Sequence, residues 1–593
     1  PAPGEAVTLL FSTNILMPIE RVAVYYTTDG TEPRGERGTA INGAVVLAEK
    51  SESTYDAARN YTLQQWQAVL PGQPDGTLVR YRADAWSLSD PQQHWYADNA
   101  DPVTTPTPQG RRFAYHVDHW EPPTWWHDAV VYHIFVDRFH AARGEPAMRD
   151  YDEHSDITAF FGGTLNGVIE KLDYIQALGA NCLWLSPVFE SPTHHGYNPS
   201  DYYTVARRYG TNETLRELIH KAHERGMRVL LDFVANHTSD EHPAFISAYN
   251  DPNSETKSWY AFGDGLRHGY RSYAHVRNMP ELMTENPAVQ RYLQNAVLHW
   301  LEYFGADGLR LDYVSGPSHA FWTLFQQAIK ERFPQALTLG EITGTLPEIA
   351  NYEGRMDAFM DFSLTKMLRS VFASRTLPLA SLLTYLDERQ AQLPMNMSRA
   401  TLLDNHDMNR FLWLADGKVE RLLLAAVCHM TLEGTPIVYY GTEVGVSQFQ
   451  DALRENACAR PPMLWGEQQN HSILQHYHRL IELRQNHPVL RQGNRTNVAI
   501  EAPNLEYEGQ VAAYLRHWQG EYLLVVLNNS EQPVHLSIAL TEHLSKARIV
   551  GKAPAMLRDL LTREDNTAFI VQAGQVELEL AAMSAVVCKP DKR

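Results

Sequence analysis

Between residues 130 and 440 the chain repeats one pattern eight times: a short apolar run, then a stretch of helical periodicity. The apolar runs are VVYHIFV (130–136), NCLWLSP (181–187), RVLLDFV (228–234), GLRLD (308–312), LTLGEI (337–342), AFMDF (358–362), ATLLDN (400–405) and TPIVYY (435–440). Between them, TLRELIHKAHERG and NPAVQRYLQNAVLHWLEYFG space apolar residues three and four apart, as helices do. Asn212 reads as the cap of the first and Gly226 as its stop. Strands alternating with helices predict a parallel sheet, and eight such units predict its closure into a (β/α)₈ barrel. A doubly wound sheet is disfavoured, because no glycine-rich nucleotide fingerprint follows the first strand.

A chain of 593 residues is too long for one core, so further domains are expected on either side. Residues 1–120 read as an N-terminal β-sandwich, of carbohydrate-binding or dimerisation type. VAVYYTTDGTEP alternates and breaks at Asp29-Gly30, GTLVRYRADAW alternates again, and TTPTPQG and EPPTWW carry linker chemistry. Residues 121–237 and 286–491 read as the barrel. After its third strand about fifty residues, rich in Ser, His, Tyr, Gly and Asn, precede the next helix at Asn286. Insertions of that length are functional loops, so 238–285 is expected to form a lid. YLLVVLNN and QVELELAAMSAVVCK place a second β-sandwich at 492–593.

The formal net charge of −19 argues against nucleic acid or an anionic membrane as partner, since both are polyanions. Cys182, Cys428, Cys458 and Cys588 form no metal-type spacing and sit in apolar patterns, so buried free thiols are expected. With no basic-then-apolar leader and no run of ~18 apolar residues, the expectation is a cytoplasmic protein without a membrane span.

Barrels of this kind carry their sites at the C-terminal ends of the strands. Those ends hold Asp232, Asn236 and His237 on the third strand, Arg310 and Asp312 on the fourth, and Glu341 on the fifth. Asp404, Asn405, His406 and Asp407 follow the seventh. A single acid at a strand end is ordinarily a cap. Several acids and histidines on one rim bear a desolvation cost that functional sites tolerate. Paired carboxylates are what glycosidic cleavage needs, and retaining enzymes hold them ~5–5.5 Å apart, a separation that neighbouring strands supply. Arg310 and Asp312 are two apart on one strand and share a face, so the cation should orient the acid and hold it ionised; a structural salt bridge is compatible with that.

The motifs DFVANH (232–237), GLRLDYV (308–314), LGEI (339–342) and LLDNHD (402–407), in this order, resemble the α-amylase family of glycoside hydrolases. VDRF (136–139), LGANCLWLSPVFES (178–191), HGYNPSDY (195–202), GTPIVYYGTE (434–443) and RPPMLW (460–465) agree, and the resemblance spans about 120 to 490. It implies Asp312 as nucleophile, Glu341 as general acid and then base, and Asp407 as the carboxylate that grips sugar hydroxyls and stabilises the transition state. It implies His237 and His406 as hydrogen-bond partners of the central sugar and Tyr197 as the aromatic platform beneath it. Asp232 is expected to be a structural partner and Trp184 a core residue. Trp259, Tyr260, Tyr270 and Tyr273 in the insertion read either as sugar-stacking or as packing residues.

The three-part layout is similar to the cyclomaltodextrinase, neopullulanase and maltogenic amylase group, whose N-terminal domain often builds a homodimer. The chain departs from that group's MPKLN at Glu281 and Met283, and from its VANE with Tyr313-Val314-Ser315-Gly316. It also has Thr343 in place of Trp and Asn198 where many relatives have Asp. AARGEPAMRD (141–150) replaces the common calcium-type run, so no metal and no other cofactor is expected for the chemistry, with a structural calcium elsewhere left open. The expected activity is hydrolysis of α-1,4-glucans: cyclodextrins, maltooligosaccharides, starch or pullulan. Transglycosylation or α-1,6 cleavage on the same machinery is the alternative. A non-catalytic carbohydrate-binding protein is disfavoured because all three acids are present.

Overall fold

The computed structural model describes residues 1–56, 61–90, 93–97, 112–393, 397–500, 509–549, 554–562 and 567–591. TTPTPQG (104–110), read above as linker, lies outside them.

Eight parallel strands close a barrel, each lying within one of the eight apolar runs or shifted by at most two residues from it: Val131–Ile134, Cys182–Leu185, Arg228–Val234, Gly308–Asp312, Leu337–Gly340, Ala358–Met360, Ser398–Leu402 and Thr435–Tyr439. Alternation along each strand sorts the side chains. Trp184, Leu230, Leu339, Met360, Leu402 and Ile437 join one cluster inside the barrel. Leu183, Leu185, Leu231, Phe233, Leu309 and Leu311 join the layer shared with the surrounding helices. The same two-residue period turns Asp232, Arg310 and Asp312 inward, and register sets Asp232 beside Arg310 and Val234 beside Asp312.

Local chemistry corrects two helix readings. The helix Asn212–Glu224 is capped by Thr211, whose hydroxyl accepts from Thr214 N, while Asn212 is already helical and accepts from Val205 N. Thr211 wins because Thr214 returns a bond to its backbone, closing a reciprocal box. The stop at Gly226 holds, with φ +74. Asn286 caps the helix Pro287–His299 as expected, but the pattern beyond it widens into a π turn at Trp300–Phe304 before Gly305 ends it at φ +78.

The insertion after the third strand contains a helix of its own, Pro243–Asn250, which the polar composition concealed. Isolated bridges His237↔Glu281, Tyr260↔Leu282 and Ser272↔Pro280 fold its returning half over the end of the third strand.

At the N-terminus a three-stranded antiparallel sheet (Val7–Asn14, Tyr61–Leu70, Glu49–Asp56) faces a five-stranded one across a core containing Trp66, Val24 and Val79. At the C-terminus eight antiparallel strands from Asn494–Val498 to Ser584–Pro590 fold over a second core. All four cysteines are buried and free. No helix among the described residues is long and apolar enough to cross a membrane.

Candidate active site

The site is organised around one guanidinium. Arg310 is fully buried; Nη1 donates to Asp232 Oδ1 and to Asp312 Oδ1, both at 2.8 Å, and Nη2 lies 2.8 Å from Glu341 Oε2. Asp232 in turn accepts from Trp184 Nε1 at 3.0 Å and from Tyr197 Oη at 2.8 Å, so it is the buried structural partner expected. Trp184 lies in the core, stacked on His133 at 3.5 Å. Asp312 and Glu341 thus touch the same planar cation, one on each of its terminal nitrogens.

Glu341 is fixed a second time by Tyr313 N, which donates to Oε2 at 2.9 Å. Tyr313 adopts φ +41, a left-handed conformation that costs a non-glycine residue about 1 kcal/mol or more and is kept where a site requires it. Its neighbour Val314 N donates to Glu341 O at 3.1 Å. The residue that departs from the group's motif thus supplies, through its backbone, a bond to the acid.

On the opposite flank Tyr197 stacks almost parallel to His406, with centroids 5.1 Å apart. His406 Nε2 lies 2.9 Å from Asp407 Oδ2. Arg460 closes the other side, with Nη2 donating to Asp407 Oδ1 and Nε to His406 O, each at 2.9 Å. Burial would raise Asp407, but His406 and then Arg460 outweigh it and hold the carboxyl well below the usual range. Asp312 moves the other way. Burial, with Glu341, Asp232 and Asp407 close by, pushes it up against the pull of Arg310. The titration belongs to the cluster rather than to one oxygen. Four carboxylates, Asp232, Asp312, Glu341 and Asp407, share the guanidiniums of Arg310 and Arg460.

His237 is placed differently from His406. Its Nε2 faces the Tyr197 carbonyl at 2.8 Å and its Nδ1 faces Asn236 Nδ2 at 3.3 Å, so both ring nitrogens are engaged by the protein. Its ring stacks on Tyr273 at 4.9 Å, and Tyr273 meets Tyr313 edge-on at 4.7 Å. Of the four aromatic residues singled out in the insertion, Tyr260 and Tyr270 are buried packing residues, Trp259 packs on Tyr292, and Tyr273 packs between His237 and Tyr313. Asn198 is buried and accepts from the Ser191 and Thr193 hydroxyls, which a neutral amide oxygen does without adding another charge.

Residue-by-residue reading of the sequence missed Arg460 and Tyr313. Arg460 stands first in RPPMLW, so the motif was visible while its pairing with Asp407, 53 positions away, was not. Tyr313 was visible only as a departure, because a backbone N–H carries no sequence signal.

The model of the α-amylase catalytic domain family matches residues 133–465, more than half of the chain. Alpha-amylase 2 of Dictyoglomus thermophilum is 34% identical over 417 residues, 70% of this chain and 71% of that protein. A cyclomaltodextrinase of Thermoanaerobacter pseudethanolicus is 33% identical over 467 residues, 76% of this chain and 78% of that one. A solved cyclomaltodextrinase structure superposes with a TM-score of 0.70 at 27% identity, over 99% of this chain and 97% of its own. The flanking sheet domains are therefore shared along with the barrel.

Proposed function

The chain belongs to the α-amylase family of glycoside hydrolases, and from that premise we propose that it cleaves α-1,4-glucosidic bonds with retention, in cyclodextrins, maltooligosaccharides, starch or pullulan. Glu341 protonates the bridging oxygen while Asp312 attacks the anomeric carbon, forming a β-glycosyl ester and releasing the leaving sugar. Glu341, now a base, takes a proton from water, and the attack of that water on the ester restores the α configuration. Asp407 grips sugar hydroxyls as positive charge develops on the ring. Tyr197 and His406 line the pocket for that sugar, and His237 braces Tyr197 from behind. The observation that carries this reading is the sharing of Arg310 by Asp312 and Glu341 at 2.8 Å each.

No metal is required in these steps. The Glu145 carboxylate in the divergent 141–150 segment is taken up by Ala142 N, Thr164 and Asn166, which suits a loop held by protein donors. Names of the relatives favour cyclodextrins among the substrates. Transfer to a sugar acceptor in place of water is the second reading; it is supported by the Tyr273–Tyr313 ring pair, whose Tyr313 bonds Glu341 through its backbone N and so places an aromatic residue next along the chain from Asp312. A homodimer through the N-terminal sheet fits the same group. Leu10 and Val69, on the outward face of that sheet, are 67% and 47% exposed. Four buried free thiols suit a reducing, cytoplasmic setting.

The test is product analysis on β-cyclodextrin, soluble starch, pullulan and maltotriose, with the anomer of the first product read by NMR. Preferred opening of cyclodextrin with an α-configured product is expected, and Asp312→Asn and Glu341→Gln should each lose at least a thousandfold in kcat on these substrates. Normal turnover in folded Asp312→Asn, or an inverted first product, would overturn the reading. Products longer than maltotriose would favour transfer, and light scattering on the same samples reads the dimer.

A further inference from the structure

The N-terminal sheet meets the barrel at a buried joint, and that joint grips both segments that run on from the catalytic acids. Phe113 and Ala114, on the strand Phe113–His116, are its N-terminal side. Seven residues past Asp312, His319 opens the helix His319–Arg332 and packs edge-on against Phe113 at 5.6 Å and against Tyr352 at 4.7 Å. Past Glu341, Arg355 donates from Nη2 to Ala114 O at 2.7 Å and from Nη1 to Asn351 O at 2.6 Å. The Thr323 hydroxyl shares its one proton between the same Ala114 O and His319 O, each at 2.9 Å. One backbone carbonyl of the N-terminal domain thus takes donors from the nucleophile side and from the acid side. Phe113, Ala114, His319, Thr323, Tyr352 and Arg355 are all buried, so this is a packed joint rather than a surface contact.

From the joint a short rigid path leads to the acid. One turn along the helix, Trp322 Nε1 donates to Val314 O at 2.8 Å. Val314 N donates to Glu341 O at 3.1 Å, and Tyr313 N to its carboxylate at 2.9 Å. Trp322 and Val314 are fully buried and Tyr313 and Glu341 half-buried, and in such close packing a displacement at one end is passed on along the bonds. Asp407 is held instead by His406 and Arg460 on the far flank.

We propose that the N-terminal sheet acts in cis as a positioning element for Glu341, with Phe113 and Arg355 as the residues that transmit it. This rests on the reading of Glu341 as general acid. A slightly misplaced acid costs most when the leaving group needs a proton and little when it does not. The joint therefore governs cleavage of natural glucans, whose leaving alkoxide must be protonated, more than cleavage of an aryl glycoside.

The experiment compares kcat on maltotriose and on 4-nitrophenyl α-maltoside (release of nitrophenolate) for Phe113→Ala, Arg355→Met and Thr323→Val in the full chain, with melting temperature as the check of folding. Phe113→Ala and Arg355→Met are expected to lose about tenfold or more on maltotriose and less than about threefold on the aryl substrate. Thr323→Val changes only one hydroxyl; it should show a smaller bias of the same sign, and it answers the question if the larger changes do not fold. Equal loss on both substrates, or no loss on either in a folded variant, overturns the proposal. Glu341→Gln is run beside them. If it shows no bias toward the aryl substrate, the assignment of the acid fails; if it shows that bias and the joint variants do not, the joint proposal alone fails.

Discussion

Arg460 and Asp407 form an ion pair at 2.9 Å in which the arginine side chain is 6% exposed and the carboxylate 33%. The arginine also carries the His406 carbonyl, so one side chain sets both the charge and the height of that flank. Arg460→Met should lower kcat/KM on maltotriose by roughly tenfold to a hundredfold, about 1.4–2.7 kcal/mol of transition-state stabilisation. Breaking a fully buried pair costs about 3–5 kcal/mol, and the exposure of Asp407 reduces that. Steady-state kinetics check it, and an unchanged kcat/KM would remove Arg460 from the site.

Tyr273 brings the insertion against the residue that follows Asp312, packed between His237 and Tyr313. Tyr273→Ala should raise KM for maltotriose on the order of tenfold while kcat stays within a few-fold, because a ring beside the cleft contributes to ground state and transition state alike. A loss confined to kcat would instead make the tyrosine part of the chemistry.

Burial holds several histidines low: His237, His242 and His429 at about 4 and His195 at about 3. Each is neutral when folded and titrates near 6.5 when unfolded, so below pH 6.5 the unfolded chain binds more protons. Stability is then fully present above pH 6.5 and is lost as pH falls from 6.5 toward 4, by up to about 1.4 kcal/mol per pH unit for each group. His429 lies away from the site with Nε2 on the Thr401 carbonyl. His429→Gln should flatten the urea-unfolding free energy against pH in that window, and a parallel curve would show that His429 does not contribute.

Glu443 is fully buried and accepts from the Tyr132 and Tyr174 hydroxyls at 2.6 and 2.8 Å, while Oε2 has no hydrogen-bond partner among the described residues. Burial raises its pKa, so its charged form is disfavoured in the fold and stability is lost as pH rises through the raised value. Glu443→Gln keeps both acceptor bonds and removes the charge. Its melting temperature should match or exceed that of the unaltered protein at pH 8, with any gain vanishing toward pH 4.5. A large drop at pH 8 would mean that the charge itself is needed there.

Much of the barrel was legible because strands and helices impose short periods. RVLLDFV and GLRLD appear as strands with unchanged bounds, and the two-residue period that made them legible also turns Asp232, Arg310 and Asp312 inward. Caps were less legible. Thr211 and Asn212 are both good capping residues, and the choice between them fell to Thr214 and Val205, contacts that composition does not order. The helix Pro243–Asn250 was lost in a polar insertion because eight residues carry too little periodicity to stand out.

The sequence by itself determined the alternation that closes the barrel, the strand ends that carry Asp312, Glu341 and Asp407, and the burial of all four thiols, because each depends on residue type and near neighbours. Tertiary structure alone decided that Arg310 serves three carboxylates, that Arg460 reaches Asp407, that His237 turns to the Tyr197 carbonyl, and that the N-terminal sheet meets the segments beyond both acids at Ala114. These contacts join residues distant in the chain through directional bonds in a desolvated interior. Which donor reaches which acceptor there is set by how the whole barrel closes, and no local pattern encodes it.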